Sequence, residues 1–146
     1  MKEASADENI ISVGNFVSRL FSLKLNETGG AALSLPELLR YGHFRGWLED
    51  QDERNPAAPL NRQTAARIVH LFLLIECGLQ DLSDITPATN LKDLYTCRAC
   101  ANHIAQVYCR GIMNVYEDSL FCHLELMTVK EVDRIIANCE AVKQSI

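Results

Sequence analysis

Apolar residues along this chain recur at three- and four-residue intervals, the period of an amphipathic helix. Ile10, Val13, Val17, Leu20 and Phe21 follow that spacing with Ser12 placed as a cap, so a first helix is expected over about 10–24, after a disordered N-terminus at 1–9. The Gly29-Gly30 pair breaks the pattern. Ser34 as N-cap, Pro36 in the first turn and Glu37 three residues after the cap predict a second, short helix to about Tyr41. Gly42 and Gly46 then flank three residues at a helix end, where a positive φ or a close backbone approach suits glycine. The segment E-D-Q-D-E-R reads as an acidic turn, and Pro56 and Pro59 hold the following connection extended.

Asn61 caps the next helix, predicted over Asn61–Cys77, with Arg62 in its first turn, Ala65, Val69, Phe72 and Ile75 on one stripe, and Gly78 as its stop. A loop follows in which Asp84 is expected to accept from backbone N–H groups. It ends at Asn90, which with Asp93 resembles a capping pair. A further helix then carries Leu94, Cys97, Ala101, Ile104 and Tyr108 to a stop at Gly111. Thr128 and Glu131 form a T-x-x-E capping box ahead of Val132, Ile135, Ile136 and Cys139.

That order repeats. Helix, glycine turn, loop with an aromatic residue and capped helix occur over about 35–77 and again over about 82–141. Gly42 and Gly111 lie 69 residues apart, and Asn61 and Thr128 lie 67 apart. The fold class expected is all-α: a single domain over 10–146, with stacked helix-loop-helix repeats forming a small helical bundle after the opening helix.

A net charge of −5 without a basic patch argues against nucleic acid as a partner. The apolar run Ile68–Ile75, interrupted by His70, falls far short of the ~20 residues a membrane span needs. The opening M-K-E-A-S-A-D-E-N has no apolar segment of the signal-peptide kind, so the chain reads either as cytoplasmic or as a mature fragment.

Six cysteines could form three disulfides, but Cys97, Cys100 and Cys109 fall inside one expected helix and Cys139 inside another. Reduced thiols are expected, in a cytosolic or anaerobic setting. The C-R-A-C-A-N-H segment has a ligand or redox spacing in Cys97, Cys100 and His103, yet Cys97 lies on the apolar stripe, so core packing is the expectation, with no metal and no cofactor. Catalysis has no support either: phosphate-loop and zinc-protease motifs are missing, and His43, His70, His103 and His123 are dispersed in sequence.

The segments Y-G-H-F-R-G-W and N-P-A-A-P-L-N-R-Q-T-A-A, then L-S-D-I, I-A-Q-V-Y-C-R-G-I-M and M-T-V-K-E-V, with I-S-V-G-N-F-V near the start, resemble the surface-layer homology (SLH) domains of bacterial envelope proteins. The resemblance covers about residues 10–141. It implies a bundle of helix-loop-helix repeats whose grooves bind secondary cell-wall polysaccharide, often bearing pyruvylated sugars. Arg62 corresponds to the family's helix-start arginine, and Gly42 and Gly46 to its turn glycines. Trp47 is a candidate sugar-stacking face, since a carboxylate-bearing sugar needs a fork-shaped cation and a flat apolar surface. In the second copy the arginine position holds Val129, the second turn glycine Val115, and the family's F-x-P proline His123.

The function expected is therefore a non-catalytic module recognising anionic wall polysaccharide at the bacterial cell surface. The alternative is an intracellular helical-repeat scaffold binding a protein partner. Two units plus an opening helix also suggest completion of a threefold set by a homo-oligomer.

Overall fold

The computed structural model describes residues 9–28 and 33–145, with backbone only over 25–28. The fold is all-helical: α1 Val13–Thr28, α2 Leu35–Arg45, α3 Asp50–Arg54, α4 Arg62–Ile75, α5 Arg98–Cys109 and α6 Val129–Gln144, with 3₁₀ turns at Thr86–Asn90 and Leu94–Thr96. Among the described residues strands are absent, and extended pairing is confined to isolated bridges. No helix among them is long and apolar enough to cross a membrane. The expected disorder of 1–8 and the Gly29-Gly30 break lie outside the described residues.

The helix starts were legible because their signals are local. Ser34 and Glu37 form a reciprocal capping box, with Pro36 in the first turn of α2. Asn61 accepts from Thr64 N–H at 2.9 Å, and Thr128 from Glu131 N–H at 3.2 Å. The α1 cap is Ser12, which accepts from Asn15 N–H. Ile10 precedes the helix and is exposed, and Ile11 takes the buried place.

Three short segments ahead of α1, α4 and α6 meet in a closed ring of backbone hydrogen bonds. Ile11 N–H donates to Met127 C=O at 3.1 Å, Met127 N–H to Leu60 C=O at 2.8 Å, and Leu60 N–H to Ile11 C=O at 2.9 Å. An outer set runs in the opposite cyclic sense: Val13 N–H donates to Ala58 C=O, Arg62 to Glu125 and Val129 to Asn9. The second set satisfies N–H groups that a helix start leaves without an intrahelical acceptor. Ile11, Leu60 and Met127 are all buried where the segments meet, as are Phe16, Ala65 and Val132 four residues after each cap. The ring closes within one chain.

Four expectations about elements are corrected. The second helix runs past Tyr41 to Arg45, because Gly42 is helical and the chain turns only at Gly46, at φ 99°. A Cβ on Gly42 would meet Leu48 Cδ1 at 2.6 Å, so that glycine serves close packing. The acidic turn is helix α3, whose buried Asp52 accepts Glu49 N–H at 2.8 Å and both Arg67 Nη atoms at 2.8 and 3.1 Å. The helix expected from Leu94 begins only at Arg98, since Cys97 is extended at φ −122°, ψ 106°. Asp93 does not cap it. Its carboxylate accepts Phe121 N–H and Cys122 N–H at 2.8 and 2.9 Å, tying the α5 approach to the turn before α6. Burial pushes the Asp93 carboxyl up, but those two N–H groups and His123 outweigh it and leave it below the usual carboxylate value. Asp84 does hold its loop, accepting Thr86 N–H at 3.0 Å.

Candidate functional site around Arg62

Arg62 stands at the first position of α4, fixed there by the Asn61 cap and by its own N–H bond to Glu125 C=O. It is not a surface residue: only 6% of it is exposed. Nε donates to Phe121 C=O at 2.7 Å and Nη2 to Asn114 C=O at 2.5 Å, while Nη1 lies 3.4 Å from Glu131 Oε2. The guanidinium carbon sits 4.5 Å from the centre of the Phe121 ring and 5.5 Å from that of Tyr116. Burial pulls this guanidinium below its ordinary value, against the opposing charge of Glu131. It remains cationic, as arginine does in proteins.

The side chain forms part of the wall of an open cleft of about 280 Å³ bounded by the turn Ile112–Tyr116 and by Glu131, Arg134 and Ile135 of α6. Gly111, at φ 74°, starts that turn, so Arg62 at the start of α4 faces the glycine turn that follows α5. Tyr116 is 42% exposed, and its hydroxyl donates to Glu125 at 3.0 Å, which fixes the ring beside Arg62. That hydrogen bond to a carboxylate also holds the phenol above its ordinary pKa, so it stays protonated. Arg134 is exposed at the rim and makes no ion pair among the described residues. Glu131 therefore does more than end the α6 capping motif: it also faces Arg62.

Trp47 is elsewhere. It is fully enclosed, edge-on to Phe72 at 5.2 Å and stacked on Phe21 at 6.3 Å, and its indole N–H donates to Glu76 Oε2 at 3.0 Å. An enclosed ring has no face for a sugar, so Trp47 is a packing residue, and Gly42 and Gly46 shape the α2 turn around it. None of the three lines the Arg62 cleft. The aromatic ring beside Arg62 is Tyr116 rather than Trp47, and a second arginine, Arg134, which the sequence reading did not name, lines the same cleft. A loop tyrosine among polar neighbours was the only signal of the first, and nothing local distinguished the second.

The dispersed histidines partly converge. His70 Nδ1 is 2.8 Å from His103 Nδ1, and His70 Nε2 is 2.7 Å from Asp81 Oδ1. Burial, with the nearby His70 and Arg67, lowers His103 to a pKa of about 4. His43 meets Glu53, and His123 lies 3.5 Å from Asp93, its Nε2 buried without a partner among the described residues. Cys97 and Cys100 are joined in a disulfide, correcting the expectation of reduced core thiols there, and Cys109, Cys122 and Cys139 are free thiols. Among the described residues no group of three or more His, Cys, Asp or Glu side chains is placed to hold a metal ion. Comparison with protein-family models, with curated proteins and with solved structures finds no match.

Proposed function

We propose that this chain is a non-catalytic, SLH-like binding module that recognises an anionic, carboxylate-bearing bacterial cell-wall polysaccharide in the Arg62 cleft. The observation that carries the reading is the convergence of Arg62, Arg134 and Tyr116 on one open cleft beside the Gly111 turn. Two arginines against one glutamate leave the cleft with an excess of positive charge inside a protein of net charge −5. Arg134 offers a planar fork free to take a carboxylate in two parallel hydrogen bonds, and Tyr116 offers an apolar face for the sugar ring. Arg62 forms part of the wall and holds the 112–116 turn in shape through Asn114. The cyclic meeting of the three helix-start segments supports the likeness of the opening helix to the capped helices of the two units.

Co-sedimentation with bacterial wall preparations, with and without their secondary polysaccharide, tests this. The native protein should pellet only with polysaccharide-bearing walls, and Arg134→Ala and Tyr116→Ala should each weaken pelleting about tenfold with unchanged circular dichroism. No pelleting by the native protein, or equal pelleting by both variants, would overturn it in favour of a scaffold for a protein partner.

A further inference from the structure

The Cys97–Cys100 disulfide lies outside the Arg62 cleft, with Cys100 partly buried against the edge of the core, and the proposed binding function makes no use of it. Its two Cα atoms are 5.2 Å apart across three residues of sequence. A bridge that short removes less entropy from the unfolded chain than any longer one, so it is a poor staple. It also spans a turn that other contacts already hold: Leu94 and Leu91 are buried just before it, and Cys100 N–H bonds to Cys97 C=O. Its surroundings are those of a reactive pair. Cys97 is the N-cap of α5, a helix whose first turn has no acidic residue, and both cysteines are partly exposed. A sulfur at a helix N-cap sits at the positive end of the dipole, which favours the thiolate, and Cys97 holds that place without a side-chain cap bond. Cys100 and Ala99 border an open polar cleft of about 450 Å³, which His103 also lines.

We propose that Cys97 and Cys100 are a reversible dithiol–disulfide couple, exchanging with an external dithiol that approaches at the start of α5, with Cys97 the exchanging sulfur. One thiolate of the external dithiol attacks Cys97 Sγ. The Cys97–Cys100 bond breaks as a mixed disulfide forms, and Cys100 leaves as a thiolate that takes up a proton. The second thiol of the reductant, losing its proton, then attacks its own sulfur in the mixed disulfide. It closes an external disulfide and releases Cys97, which stays a thiolate or is protonated. Two electrons pass to the protein, and the external dithiol is oxidised by two. His103, on the same cleft wall and joined through His70 to Asp81, is a neutral imidazole available to relay the Cys100 proton.

The probe is dithiothreitol, equilibrated with the full native chain at graded ratios of its reduced and oxidised forms. The mixture is quenched with iodoacetamide and read by intact mass and peptide mapping. The expected result is a reversible change of two alkylations confined to Cys97 and Cys100, with the native circular dichroism kept throughout. In Cys100→Ser, Cys97 should be alkylated at pH 6.5 about tenfold faster than the thiol of glutathione. Full alkylation of both cysteines after oxidising equilibration, or a bridge that opens only in denaturant, would overturn the proposal whether or not the variant folds. A Cys97 in the folded variant no faster than glutathione would overturn the assignment of the exchanging sulfur.

Discussion

Glu76 is a buried charge with three side-chain donors, and replacing it tests how the Trp47 region is held. Its side chain is 2% exposed and collects Trp47 Nε1 at 3.0 Å, Arg45 Nε at 2.8 Å and Tyr41 Oη at 2.9 Å. In Glu76→Ala these three donors fare differently. Arg45 is 40% exposed and can turn to water, and Tyr41 is only half-buried. Trp47 has no exposure at all, so its N–H is orphaned, at a cost of about 1–3 kcal/mol. Losing the buried Cγ methylene adds about 1 kcal/mol, and the space left behind adds more. The sum is about 3–4 kcal/mol, within the range for breaking a buried charge pair. Glu76→Gln keeps a carbonyl acceptor for the indole but loses the charge facing Arg45 and the oxygen that accepts Tyr41 O–H, so about 1–2 kcal/mol is expected. Urea unfolding followed through the emission of Trp47, the single tryptophan, measures both. A loss below about 1 kcal/mol for Glu76→Ala would refute the claim that the carboxylate satisfies the indole.

Other outcomes follow from the same geometry. Gly42→Ala should cost about 1–3 kcal/mol in urea unfolding, because its Cβ would press on the buried Leu48 at 2.6 Å. Arg62→Met should cost about 2–4 kcal/mol by the same measurement, since it leaves the Phe121 and Asn114 carbonyls without their donor. Stability should decline between the ordinary histidine value of 6.5 and about pH 4, because His103 has a depressed folded pKa and only the unfolded chain takes up that proton in this window. The His103 share of the decline should end below about pH 4, and His103→Gln should remove the part between 6.5 and 4 in thermal scans across pH. Asp93→Asn should bring an added loss of stability at neutral pH that shrinks as the native protein is acidified. The depressed carboxyl contributes above its unfolded pKa and ceases to as pH falls through the folded one.

What could be read from the sequence was what depends on neighbours a few residues away. The caps Ser34, Asn61 and Thr128 bond to N–H groups three residues on, and the spacing alone announces them. Helix α3 left only the Glu49–Asp52 spacing as a local trace. Its residues are polar on every side, and its one buried position, Asp52, is held by Arg67, 15 residues distant. Asp93 read as a local cap while its true partners lie 28 and 29 residues on. Arg62 was found by its place in a motif, but its burial could not be, because it is created by groups 52 to 69 residues downstream. Trp47 shows the same limit from the other side. An aromatic after a glycine turn suits a sugar platform or a core equally well, and only the arrival of Phe21, Phe72 and Glu76 decides between them.

The hydrogen-bond ring of Ile11, Leu60 and Met127 also bears on when the fold can form. Its members come from near the two ends and the middle of the chain, so no pair of neighbouring units can close it. During synthesis α1 and α4 can dock, yet Met127 must leave the ribosome before the circuit exists, which makes assembly a late, all-or-none event dominated by contacts distant in sequence. The three amides should consequently resist hydrogen exchange together, releasing their protons only when the whole domain opens.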